Sequence, residues 1–196
     1  MTNYGANILS YMQEQKFRIR AFNIVYLEGV DPDTFAVNTD RLDEWNDVRM
    51  VIRDNGEILH CVSATTEPGR YYTENPLNPN GAARIAFGQH LEAWTFGTHK
   101  GQDALVQCGA VKVHRDKNKD GFRTGDPVDV ADSFGLNQHT TSNAPELVGR
   151  WSAGCLVGRY PESHTKFMQL CRDAGMRRFD TTVLDGSGLH KLGVLG

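Results

Sequence analysis

The chain has 196 residues, enough for one domain with a sizeable core, since domains commonly run about 100–200 residues. Hydrophobic residues make up 39% and charged ones 23%, an ordinary soluble balance, and a net charge of −3 excludes a general attraction to nucleic acid or anionic lipid. No apolar run approaches the roughly 18 residues needed to cross a bilayer. The first twenty residues, MTNYGANILSYMQEQKFRIR, lack the apolar segment of a secretory signal, so the expectation is synthesis in the cytoplasm without membrane insertion.

In chain order, residues 3–16 predict a short helix with Ile8, Leu9 and Met12 near one face. Phe22 to Leu27 reads as a buried strand. Asp31 to Asn46 is polar and broken by Pro32, which predicts a loop with a turn of helix. Val48–Arg53 and Glu57–Val62 flank Asp54-Asn55-Gly56, and Asn-Gly between two apolar runs is a strong hairpin signal. Glu67 to Gly81 holds Pro68, Pro76 and Pro79 and reads as a long irregular loop. Arg84–Phe87, Leu91–Phe96 and Ala104–Val113 are further strand candidates; His90 and His99 lie near their turns and receive no role. Glu162 to Ala174 predicts a helix ended by Gly175, and Arg177–Leu184 a last strand, with a less ordered glycine-rich tail from Gly186. The spacing favours a single β-rich α+β domain over residues 1–196, mostly antiparallel, rather than repeated βαβ units.

The four cysteines, Cys61, Cys108, Cys155 and Cys171, are widely spaced and form no CxxC pair, so they do not read as a zinc framework. Cys61, Cys108 and Cys171 sit in apolar runs that predict buried free thiols. Asp116, Asn118 and Asp120, followed by Gly121, match the opening of an EF-hand calcium loop, with the Phe122 carbonyl at position seven. Position twelve is Pro127 rather than a bidentate glutamate, so Asp126 or Asp129 would have to close the shell. The other account is a polar loop held by Asp and Asn turns, and both stay open.

His139 lies sixteen positions before Cys155, which ends Ser152-Ala153-Gly154-Cys155. A thiolate is the nucleophilic form of cysteine, and a nearby imidazole can take the thiol proton and return it to a leaving group. Small residues let the backbone approach a substrate, with the amides of Ala153, Gly154 and Cys155 as candidate oxyanion donors. Arg150, Arg159, Arg70 and Tyr72 are candidate substrate contacts, since guanidinium suits carboxylates bidentately.

This pattern resembles the catalytic signature of the L,D-transpeptidase (YkuD-like) family, a histidine followed by a Ser-His-Gly-Cys box. His139, Ser152, Gly154 and Cys155 fall on it. Ala153 stands where the family usually has a second histidine, and Val157 where an arginine commonly follows. Ala64-Thr65-Thr66-Glu67-Pro68-Gly69-Arg70-Tyr71-Tyr72 is similar to the family's upstream Thr-Pro-x-Gly-x-Phe segment, so the likeness runs from about Val48 to about Arg159. It implies an antiparallel β sandwich or barrel, peptidoglycan stem peptides as the partner, a Cys155 thioester, and His139 as base, with no cofactor required. The absence of an export signal favours hydrolysis by a phage-type endolysin acting on the wall after release. A true transpeptidase, or a wall-binding or virion structural module without turnover, are the alternatives.

Overall fold

A computed structural model describes residues 3–196. Helix α1 (Tyr4–Glu14) leads into strands β1 (Asn23–Glu28), β2 (Asp47–Ile52) and β3 (Ile58–Thr65), then the short helix α2 (Arg70–Glu74). Strands β4 (Ala82–Ile85), β5 (Gly88–His99), β6 (Gln102–Gln107), β7 (Val111–Asp116) and β8 (Val128–Ala131) follow. The chain closes with β9 (Gln138–Thr140), β10 (Leu156–Gly158), α3 (Pro161–Asp173), β11 (Arg178–Asp185) and α4 (Gly186–Lys191). Eight strands form a closed barrel in the order β1-β11-β5-β6-β9-β10-β3-β2, and β4-β7-β8 form a smaller sheet. No helix is long and apolar enough to cross a membrane among the described residues.

The β-rich α+β class is therefore as the composition of elements predicts. Two ladders depart from the antiparallel expectation: β1 pairs β11 and β9 pairs β10 in parallel. Parallel neighbours need a crossover rather than a tight turn. For β9 and β10 the crossover is the loop from Thr141 to Cys155. For β1 and β11 it is nearly the whole chain.

Alternation explains why β1 is buried at all six positions. Ile24 and Tyr26 face a barrel core with Val51, Trp94, Leu105, Leu156 and Phe167. Val25 and Leu27 face a second core, where Ile8, Leu9 and Met12 of α1 meet Leu189 of α4. Successive strand side chains point to opposite faces, so a strand covered on both sides reads as one continuous apolar run.

Residues 31–46 hold the expected turn of helix, closed by the Phe35 amide donating to the Asp31 carbonyl at 2.9 Å, and add an isolated Val30–Val37 bridge. Several local expectations are corrected. The 67–81 segment is not wholly irregular, because Gly69 in an extended conformation starts α2. Ala104–Val113 is two strands, parted where the amides of Cys108 and Gly109 both donate to the Ala93 carbonyl. The tail is ordered: α4 buries Leu189, and Leu195 packs beside it, so burial outweighs the entropy of a glycine-rich sequence. Of the three cysteines read as buried, Cys171 is buried while Cys61 and Cys108 are partly exposed, and all are free.

One end of the barrel holds a buried cluster of charges. Glu28 ends β1, Asp47 begins β2, Glu67 follows β3, Arg84 lies on β4, and Asp116 ends the neighbouring β7, where it is paired with Ala82. Arg84 pairs with Glu67 and, at 3.5 Å, with Asp116; Arg123 pairs with Glu28. The Asp47 carboxyl forms no ion pair among the described residues and accepts from the amides of Gly29 and Thr66.

Candidate active site

The parallel register sets Leu156 beside Gln138 and Val157 beside His139. Leu156 enters the barrel core, and Gln138 reaches Thr181 and Tyr26 by side-chain hydrogen bonds. Away from that core, Val157 packs with Trp45 and Val148, flanked by Trp151 and Cys155. Cys155 directly precedes β10 and lines the cavity described below, whereas His139 sits on β9 beside Val157 and is not among the residues lining that cavity.

The turn before Cys155 is built by Ser152 and Gly154. The fully buried Ser152 hydroxyl accepts from the Gly154 amide at 3.1 Å and donates to the Cys155 carbonyl at 2.8 Å. Gly154 adopts φ +128°, and a Cβ there would stand 2.6 Å from the Ala83 carbonyl oxygen of β4. Only glycine fits both demands. Because Ser152 takes the Gly154 amide, that amide is not an oxyanion donor as the sequence suggested; the Cys155 amide makes no hydrogen bond within the described residues.

The upstream segment docks onto this turn. The Gly69 amide donates to the Ser152 carbonyl at 3.0 Å, while β3 pairs Thr65 with Val157. A Cβ on Gly69 would lie 2.1 Å from the Gly149 carbonyl oxygen. Gly69→Ala is therefore expected to force the two segments apart and destabilise the fold by about 1–3 kcal/mol or more, read by urea unfolding. An unchanged midpoint would mean the contact yields freely.

The sulfur of Cys155 accepts from the Asn137 amide at 3.5 Å and donates to the Gly135 carbonyl at 3.6 Å. Burial pushes its pKa up, partly offset by the Asn137 amide and the Lys100 charge, so the resting group is a thiol. His139 is buried, and its Nδ1 lies 2.9 Å from the Thr140 carbonyl oxygen. A carbonyl only accepts, so Nδ1 carries the proton and Nε2 keeps its lone pair. Burial first, opposed by the Thr140 bond, lowers the His139 pKa to about 4, and the ring is a neutral base at pH 7. Its buried Nε2 has no hydrogen-bond partner among the described residues.

A cavity of about 440 Å³ opens at Cys155. Tyr72, Phe134 and Trp151 give it aromatic walls, and Lys100, Arg115 and Arg150 are the cations among its lining residues, which include no carboxylate. Arg115 is paired with Asp129 at 3.0 Å, and Arg150 lies 3.7 Å over the Tyr71 ring. Of the substrate contacts expected from sequence, Arg150 and Tyr72 line the cavity. Arg159 and Arg70 do not: the Arg159 Nε donates to the Pro145 carbonyl, and Arg70 reaches Glu74 at 4.0 Å on exposed α2.

The Asp116 loop takes the form of a turn network. Asp116 accepts from the amides of Asp120 and Gly121 and faces Arg84. Asn118 donates to Asp120, whose other oxygen accepts from the Phe122 amide, and Asp129 is turned to Arg115. Burial and the charges of Asp116 and Asp120 raise the pKa of Asp126. No group of three or more acidic, histidine or cysteine side chains is placed to hold a metal among the described residues.

The residues that sequence reading left out are His99, Lys100 and Asn137. His99 ends β5, and its ring stacks on His139 with centroids 4.0 Å apart and planes 16° apart. Lys100 and Gly101 form the two-residue turn to β6, both at positive φ, which suits such a hairpin. That turn was visible in the Lys-Gly pair; a contact forty positions away was not.

A scan against protein-family models finds no match, and searches of the curated proteins and of the solved structures find none either.

Proposed function

We propose that the protein is an L,D-transpeptidase-like cysteine enzyme that cuts peptidoglycan stem-peptide bonds through a thioester on Cys155. The observation that carries this reading is a thiol lining the cavity at the start of β10, next to a strand that holds a buried imidazole whose Nε2 is unpartnered among the described residues. Substrate carbonyl enters over Cys155, His139 Nε2 takes the thiol proton, and sulfur attacks carbon. His139 returns the proton to the departing amine, and water then attacks the thioester. Cysteine and imidazole suffice, so no cofactor enters the chemistry.

Hydrolysis is favoured over cross-linking by the lining charge. Lys100 and Arg150, with no carboxylate among the lining residues, attract the carboxylates of a stem peptide and repel the protonated amine that an acceptor strand would bring, while Arg115 is already paired with Asp129. Neutral water meets no such barrier.

Incubating stem peptides with wild-type protein and Cys155→Ala, followed by mass spectrometry, tests this. Loss of a residue or opening of a cross-link only with wild type is the expected result. Cross-linked or residue-exchanged products would identify a true transpeptidase. Unchanged peptides with retained wall binding would identify a non-catalytic wall-binding or virion module.

A further inference from the structure

Two hydrogen bonds settle the state of the second imidazole. The Asn137 side-chain oxygen accepts from the Gln107 backbone amide at 3.1 Å, and a backbone N–H can only donate. The Asn137 side-chain nitrogen therefore faces His99 Nδ1, 3.0 Å away, and donates to it. With Nδ1 accepting, the proton of a neutral His99 sits on Nε2. His139 has the opposite tautomer, fixed by the Thr140 carbonyl. The stacked rings thus present different groups: His139 offers a lone pair at Nε2, and His99 offers an N–H. His99 lines the cavity with Cys155, and its Nε2 has no hydrogen-bond partner among the described residues.

We propose that His99 is a second catalytic histidine, whose Nε2–H donates to the carbonyl oxygen under attack while His139 Nε2 moves the thiol proton. This assignment rests on the thioester reading of Cys155 and names a further group in it. When sulfur adds to the carbonyl carbon, the C=O electron pair moves to oxygen, and the His99 N–H meets the resulting oxyanion. The pair returns when the C–N bond breaks, the amine leaves with the proton held by His139, and His99 keeps its own proton throughout. Division of labour follows from the stack: two imidazolium rings 4.0 Å apart would repel, so while His139 is charged His99 stays neutral. Asn137 ties the parts together, since its amide donates to the sulfur as its side chain orients His99. His99 also supplies an imidazole to a site whose turn carries Ala153.

The test uses probes that do not depend on the natural substrate. Acylation of Cys155 by p-nitrophenyl acetate builds an oxyanion; alkylation by iodoacetamide does not. His99→Phe keeps a flat ring on His139 but removes the donor, and His99→Gln restores an N–H near the Nε2 position. Acylation is expected to fall about 100-fold or more in His99→Phe, while alkylation changes by less than about threefold. His99→Gln is expected to recover most of the acylation rate. Should His99→Phe fail to fold, His99→Leu gives the same comparison. Equal losses in both reactions would mean His99 only props His139, and the proposal falls. It falls too if His99→Phe acylates like wild type, if His99→Gln recovers nothing, or if wild-type Cys155 is not acylated. Stem peptides left intact by a protein that shows the expected acylation pattern would overturn the substrate and leave His99 in place.

Discussion

His139→Gln is expected to lower turnover by about 10²–10⁴-fold, the span usual for losing a positioned general base, and to change the shape of the pH profile. Burial holds the Cys155 thiol above its ordinary pKa and His139 down at about 4, so neutral thiol and neutral imidazole coexist across physiological pH. The wild-type profile of thioester formation should therefore be flat from about pH 5 through neutrality. It should fall only at lower pH, where His139 charges and stops accepting. Without His139 the thiol must ionise by itself. The rate should then rise about tenfold per pH unit until the thiol titrates. A glutamine variant with a flat profile at neutral pH would mean that another group takes the proton.

The sequence made the local elements legible because their causes are local. The Asn55-Gly56 turn, the apolar stripe of α1 and the helix beginning at Pro161 each carry their signal within a few residues. Cys155, Gly154, Ser152 and His139 were legible for a related reason: small residues before a cysteine and a histidine at fixed distance belong to one supersecondary unit, β9–loop–β10. Contacts between distant segments were not. The β1–β11 ladder joins the two ends of the chain, and nothing in Ile24 or Thr181 announces a parallel partner. His99 looks like any histidine at a hairpin end until closure of the barrel brings it onto His139. The Asp116 loop shows a third limit. An Asp-x-Asn-x-Asp-Gly run suits both a cation and its own amides, and the run itself does not announce that Arg84 of another strand also reaches Asp116.

Arg84 is also where the largest stability effect is expected: Arg84→Met should cost about 3–5 kcal/mol at pH 7.5, out of the about 5–15 kcal/mol that holds a domain together. The guanidinium is fully buried between Glu67 and Asp116, and a thioether of similar length leaves both carboxylates facing a dry interior. Glu67 is already held well above the usual carboxylate range by burial and by Glu28, with Arg84 pulling the other way. Removing Arg84 must drive protons onto the acids, so the penalty should shrink at pH 5.5. The wild type should itself depend on pH in both directions. Asp47 is pushed up to about 8, chiefly by burial and then by Glu28 and Asp40. Unfolded, it ionises near 4; folded, it keeps its proton, so stability falls as pH rises from about 4 to about 8, by up to about 1.4 kcal/mol per pH unit. The histidines oppose this. Burial lowers His60 and His164 to about 3 and His139 to about 4, and depresses His90, His99 and His114 as well. Their unfolded forms bind protons below about 6.5, so stability is lost as pH falls from there towards 4. Below pH 6.5 the six histidines outnumber the raised acids; above it only the acids still titrate. Urea unfolding at pH 5, 6.5 and 8 should place the maximum near 6.5, and stability that climbs steadily from 6.5 to 8 would show that the cluster around Asp47 is ionised in the folded protein.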